Sequence, residues 1–385
     1  MYYHNAMGKL NMRNLTLLNP GPVNVSEKVR QALLIPDICH REAEFSQLQE
    51  QVRKKILQVL NLSSRYSVAL LTGSGTAALE AAVLAACNAD SAKNHSRSGN
   101  SLLVLSNGVY AERIADIAQR HRIPTRVLRF AYNQRIDEEQ VGKILKKDHS
   151  IRTVAMTHHE TSTGMLNLVD GVGHLAQRYG KIFAIDAISS LGADDLEIEK
   201  AGVDFCIGTA GKCFHALPGV SFVLAKRSLL SQLTRKEVSS LYFDLGNIWK
   251  HQEKGDTPFT PAVQLFSAFN IALDEFLSET LQGRIISYQS RSSLLRDEFE
   301  ELGLQFLLPR SYYSNTLTSL KLSQGLSYEN LHDPLKEEGF VIYAGQNRLR
   351  RQIFRVAHMG NIPDEELKRF MEVLGKILSP VSLYP

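Results

Sequence analysis

A chain of 385 residues is long enough for about two domains of ordinary size. Hydrophobic residues make up 44% and charged residues 22%, a globular balance that excludes disordered, collagenous and coiled-coil classes. The 44 basic against 40 acidic residues leave a formal charge of +4, spread along the chain, which does not by itself imply nucleic acid. The first dozen residues, with Met7 and Met12 as alternative starts, lack the apolar core of a secretory signal. An amphipathic helix is expected over 45–60. Short apolar, β-branched runs then alternate with helical patterns. Strands are expected at 68–71, 102–105, 125–129, 153–156, 182–185, 205–207 and 220–224, and helices at 76–86, 110–121, 137–145 and 168–179. This alternation predicts βαβ crossovers and an α/β fold, with a mainly parallel central sheet and helices on both faces. The polar stretch 88–100 reads as a surface loop.

The pattern changes after Pro261. Long amphipathic helices at 263–279 and 284–301 lead into short strands at 316–322, 339–342 and 353–356. A last helix, 364–378, follows Pro363, whose fixed φ suits a helix start. The expected organisation is a large domain over 21–261 and a smaller α+β domain from 1–20 and 262–385. No run approaches the ~18 apolar residues of a membrane span, so no membrane association is expected. Cys39, Cys87, Cys206 and Cys213 show no CxxC spacing and read as reduced thiols of a cytoplasmic protein.

Three features carry chemistry. Leu70-Leu71-Thr72-Gly73-Ser74-Gly75-Thr76 runs from a strand into a helix, where free N–H groups and the helix dipole form an anion site. It matches GxGxxA, but the second strand ends in Ser106-Asn107 and not in the acidic residue that a dinucleotide ribose requires. A single phosphate fits better. Asp186 ends an apolar strand at the carboxyl edge of the sheet, as a ligand or as a simple helix cap. Lys212 follows 26 residues later in a small-residue turn at the same edge. There it is a solvated loop lysine or a partly desolvated amine with a lowered pKa. His158-His159-Glu160 is not HExxH and no GxSxG elbow occurs, so metal and hydrolase sites are not expected.

A phosphate cradle, a strand-end Asp and a later lysine are the parts that pyridoxal phosphate demands. With them the chain resembles the class V, fold-type I aminotransferases over nearly its whole length, and within them the 2-aminoethylphosphonate–pyruvate aminotransferase branch. Ten blocks carry the likeness, in order: 17–33, 38–45, 70–81, 106–115, 158–167, 184–194, 211–224, 257–264, 339–346 and 353–362.

The resemblance implies a pyridoxal 5′-phosphate enzyme in which Lys212 is the Schiff-base lysine and Asp186 pairs with the pyridine nitrogen. Ser74, Gly75 and Thr76 are implied to hold the phosphate, Tyr110 to cover the ring face and Thr161 to stand near the phenolic oxygen. Thr260 is implied to reach the phosphate from a partner subunit, which makes the enzyme a homodimer with shared sites. Arg355 matches the arginine that clamps the substrate carboxylate, and Gly21 falls in the substrate-side block 17–33. His40 and Arg41 match a pair that holds a substrate phosphate in phosphoserine aminotransferases. Physical alternatives stand beside these roles: core packing for Tyr110, a turn hydroxyl for Thr161, and an Arg41–Glu42 or Arg41–Glu44 surface network.

The expected reaction moves the amino group of 2-aminoethylphosphonate to pyruvate. Alanine– or serine–glyoxylate transfer is the competing reaction, and a non-catalytic cofactor-fold protein is the reading from a different class. Gly211 stands where relatives often carry Asn or Gln, and Ala216 where they often carry Gly, small residues expected to enlarge the pocket.

Overall fold

The computed structural model describes residues 14–89, 101–236 and 238–379. Met7, Met12 and most of the stretch 88–100 lie outside the described residues. Strand β1 (Thr16–Leu17) is followed by helices α1 (Glu27–Gln31) and α2 (Ala43–Val59). The central sheet begins with β2 (Tyr66–Gly73), and α3 (Gly75–Asn88) leads to β3 (Ser101–Ser106). Then come α4 (Val109–Arg120), β4 (Thr125–Arg129), α5 (Glu138–Lys147) and β5 (Ile151–Thr157). A small hairpin, β6 (His159–Glu160) against β7 (Met165–Leu166), precedes α6 (Asp170–Arg178), β8 (Ile182–Asp186), β9 (Phe205–Thr209) and β10 (Gly219–Lys226). Helices α7 (Arg227–Leu233), α8 (Leu245–Gln252), α9 (Val263–Glu279) and α10 (Leu281–Glu301) follow. The chain continues through β11 (Leu317–Lys321), α11 (Tyr328–Glu337), β12 (Phe340–Val341), β13 (Tyr343–Ala344), β14 (Ile353–Ala357) and α12 (Asp364–Leu378).

The seven-stranded sheet has the order β2-β10-β9-β8-β5-β3-β4. All neighbours pair in parallel except β10, which is antiparallel to both β2 and β9. Residues 210–218 are too few for the crossover of about a dozen residues or more that a parallel return needs, so the chain doubles back. Side chains alternate between two cores. Val68 and Leu70 of β2 join one apolar cluster with Phe45 of α2 and Phe269 of α9. Ala69 and Leu71 join the other with Ala78 of α3 and Ile114 of α4. The same alternation recurs in β3, β5 and β8, so both faces are covered by helices and the near-continuous apolar runs of these strands are accounted for.

A third core lies between the three-stranded sheet β11-β14-β13 and helices α10, α11 and α12. The N-terminal segment is stitched to it. Thr16 and Leu17 pair in parallel with Phe340 and Val341, Ala357 N–H donates to Leu18, and Asn24 bridges to Gly360.

Several details differ from expectation. Helix α3 continues through Asn88, so that residue is helical and not part of the loop. The strand expected over 339–342 is split: β12 pairs with β1 and β13 with β14, with Ile342 buried between them. Helices α7, α8 and α11 were not anticipated, α11 because Pro334 lies inside it. Among the described residues no helix is long and apolar enough to cross a membrane.

Candidate active site

The carboxyl edge of the central sheet opens into a cavity of about 300 Å³. Gly21, Ser74, Gly75, Thr76, Tyr110, Thr161, Asp186 and Lys212 all line it. These eight residues come from six separate stretches of chain, and topology brings them together. Strand β2 delivers Ser74 as the N-cap of α3, and its side chain makes no capping bond, which leaves the hydroxyl for a ligand. Strand β8 ends on Asp186. Its Oδ1 accepts from Ile188 N–H at 3.0 Å, while Oδ2 has no hydrogen bond among the described residues. One oxygen thus serves the turn and the other is open to a ligand. Burial pushes the Asp186 carboxyl up to about 6.

Lys212 sits in the turn between β9 and β10, with Gly21 crossing its tip. A Cβ added at Gly21 would stand 2.2 Å from Lys212 Nζ, and the backbone there has φ +111, so both the space and the conformation require glycine. Burial, which disfavours the ammonium form, lowers the Lys212 amine to about 8. The neutral amine is the nucleophile. Reductive labelling by a small aldehyde and borohydride should therefore accelerate about tenfold at Lys212 between pH 7 and pH 9 and then level off. Peptide mapping reads this directly; a rate still climbing beyond pH 10 would mean an ordinary solvated lysine.

The hairpin β6–β7 fixes the opposite wall. Glu160, fully buried, accepts from the N–H groups of Tyr110 at 3.0 Å and Ala111 at 3.2 Å, and from the Ser162 hydroxyl at 2.5 Å. A carboxylate at the positive end of α4 anchors that helix and aims Tyr110 into the cavity. His159 donates from Nδ1 to the Ser189 carbonyl at 3.0 Å. Its Nε2 is left buried without a partner on a residue of the cavity wall. Burial lowers His159 to about 3, so the ring is neutral and Nε2 is an acceptor awaiting a polar group.

Arg355, Arg41, His40 and Thr260 do not line this cavity. Arg355 lies behind Thr161, 2% exposed. It donates from Nε and Nη2 to the Ala344 carbonyl and from Nη1 to the Thr161 carbonyl, at 2.8–3.0 Å. Two of its five N–H groups remain for a carboxylate. Arg41 pairs with neither Glu42 nor Glu44. Its Nη1 reaches Asp256 at 2.7 Å and the Thr257 carbonyl at 3.0 Å, because the turn before α2 packs on the segment leading to Thr260. Thr260 lines a separate small pocket with Tyr242 and Phe259. Gly211 lines the cavity, but the direction of a side chain there is blocked: an added Cβ would meet Pro218 Cα at 2.8 Å. Ala216 is packed in the core.

Four polar lining residues were given no role in the sequence reading: Arg113, His159, Ser189 and Thr209. Arg113, His159 and Ser189 lie inside blocks that were singled out, Arg113 three residues after Tyr110 and therefore on the same helix face.

Residues 30–346 match the family model described as "Aminotransferase class-V". A protein of Vibrio cholerae described as 2-aminoethylphosphonate–pyruvate transaminase is 34% identical over 364 residues, covering 93% of this chain and 96% of that protein. One of Lysinibacillus sphaericus with the same description is 30% identical, covering 94% and 97%. Among solved structures, an alanine–glyoxylate aminotransferase from Nostoc superposes with a TM-score of 0.87 at 24% identity, over 96% of this chain and 97% of that one. An aspartate aminotransferase from Thermus thermophilus superposes at 0.83 with 26% identity, over 94% and 99%.

Proposed function

The chain belongs to the class V aminotransferases, and from that membership we propose that it transfers the amino group of 2-aminoethylphosphonate to pyruvate, using pyridoxal 5′-phosphate and forming phosphonoacetaldehyde and L-alanine. The observation that carries the substrate choice is the end-to-end likeness to relatives described as 2-aminoethylphosphonate–pyruvate transaminase. Likeness to the alanine–glyoxylate enzyme at 24% identity supports the fold alone. Lys212 and Asp186, both present at one cavity, speak against a non-catalytic role.

The residues present fit the cofactor. The cavity is of small-molecule size, the N-terminus of α3 suits a phosphate, and the buried, unpartnered Nε2 of His159 calls for a polar ligand. Ser74, Gly75 and Thr76 would hold the phosphate, Tyr110 would cover the ring, Thr161 would stand at the phenolic oxygen and Asp186 would meet the pyridine nitrogen. When bound, the group supplies an electron sink for charge developing at the substrate carbon. Lys212 Nζ would be the group that holds the cofactor, and its free amine would take a proton from the substrate carbon and return it. Asp186 holds a compensating negative charge. Gly21, with no side chain, leaves Nζ free to swing.

A homodimer with shared sites belongs to the same proposal. Arg41 and Thr260, the residues expected to serve a partner's site, lie in one surface region joined by the Arg41–Asp256 pair. The exposed Leu241 and Tyr242 lie nearby, Tyr242 stacked on Phe259. Arg355→Ala should slow both half-reactions, since alanine and the phosphonate donor take turns at one anion clamp. Arg41→Ala should slow mainly the phosphonate half, by about ten- to a hundredfold. Single-turnover rates with alanine and with 2-aminoethylphosphonate test this. Equal losses in Arg41→Ala would reduce that residue to a brace for the 256–260 segment, and indifference to 2-aminoethylphosphonate would move the glyoxylate reaction to first place.

A further inference from the structure

Among the described residues, the wall of the cavity contains one cation besides Lys212. Arg113, on α4, donates from Nη1 to Thr76 Oγ1 at 3.2 Å. Its guanidinium carbon lies 4.7 Å from the centre of the Tyr110 ring. Among the described residues it has no carboxylate partner, although its charge is felt at both Asp186 and Lys212. Thr76 is the second residue of α3, so the bond ties Arg113 to the anion end of the cavity. Because the Thr76 oxygen accepts from Arg113, the Thr76 proton is turned elsewhere.

A phosphate ester carries nearly two negative charges at neutral pH. The end of α3 offers only about half a positive charge, and Asp186 with the ring nitrogen it would meet adds no net charge. Lys212 is given over to attachment at the aldehyde and does not serve the phosphate. The residue preceding it, Gly211, has no room for a side chain. Charge balance at this end of the cavity therefore needs another cation, and Arg113 is within reach of it.

Resting on the cofactor reading above, we propose that Arg113 is a phosphate-binding residue that supplies the balancing charge and, through Thr76, orients the second hydroxyl of the phosphate cradle. The alternative is that Arg113 only steadies Tyr110 by lying over its ring. The two differ in what they demand of the ligand, because pyridoxal has the same ring and aldehyde without the phosphate.

The test is titration of cofactor-free protein with pyridoxal 5′-phosphate and with pyridoxal, followed by absorbance. Arg113→Met keeps a long apolar stem against Tyr110 and removes the charge. It should raise the Kd for pyridoxal 5′-phosphate at least about tenfold while changing that for pyridoxal by less than about threefold. Arg113→Lys, which returns a point charge without the planar fork, should restore part of the phosphate preference. Equal weakening for both ligands, or unchanged affinity for the phosphorylated one, would overturn the proposal. Uptake of neither ligand by the unaltered protein would overturn the cofactor reading itself. Pyridoxal binding also serves as the check that each variant is folded.

Discussion

Lys212→Ala should abolish turnover while leaving the protein at least as resistant to unfolding as before. Two contributions vanish together, covalent attachment of the cofactor and proton transfer at the substrate carbon. Proton transfer alone is worth about 10²–10⁴-fold in rate. Stability should not suffer, because among the described residues Lys212 forms no ion pair with a carboxylate, and burial outweighs the attraction of Asp186 and lowers its amine to about 8. An amine held out of water without a directly paired counter-charge is a cost to folding, and removing it relieves that cost. Single-turnover kinetics and thermal unfolding of the cofactor-free protein measure the two halves. Residual turnover within a hundredfold of normal would transfer the role to another amine, and borohydride mapping would say which.

Asp186→Asn should cost about 10²–10³-fold in turnover, the scale of one well-aimed electrostatic contact in a water-poor site. Asparagine is the informative substitution. It retains an acceptor for Ile188 N–H, the bond that shapes the turn after β8, and removes only the negative charge. Burial already holds the carboxyl near 6, and a cationic ring nitrogen beside it would draw that value down. The protein with cofactor should therefore keep its activity below pH 6, where a carboxyl without a cationic partner would be protonated. Asp186→Ala should be worse, losing both the charge and the turn. Near-normal rates in Asp186→Asn would leave Asp186 as a cap alone.

Much of this arrangement was readable in the chain. Most strands of the central sheet were legible because both faces are buried, so each appears as an apolar run bounded by turn residues; the edge strand β4, TRVLR, is the exception. Strand ends were off by one or two residues, since the last pair of hydrogen bonds leaves no mark on composition. The reversal of β10 was passed over although the nine residues before it are too few for a crossover. In the smaller unit the strands are shorter and leave a fainter pattern. β12 and β13 are two residues each and belong to different sheets, which no periodicity can reveal. At the site, residue types with one dominant chemistry, Lys212 and Asp186, were found from local sequence. Arg113 was not, because a charged residue in an amphipathic helix looks like part of a solvated face. Only the fold shows that this face of α4 turns toward Thr76.

The stitching of residues 16–24 to residues 340–361 bears on how the enzyme comes to exist during synthesis. The glycine that makes room for Lys212 Nζ belongs to a strap whose pairing partners, Phe340, Val341 and Gly360, are made more than 300 residues later. The helices and parallel strands of the central sheet join segments that follow one another closely, and they can associate as the chain emerges. The wall over the lysine cannot. It must wait for almost the last residues, and closing so long a loop is slow. A nascent or truncated chain lacking β12 to β14 would thus present a formed sheet and a formed phosphate cradle beneath an uncovered lysine. Cofactor arriving that early would meet an amine still open to water, so the ability to retain it should be among the last properties the polypeptide acquires.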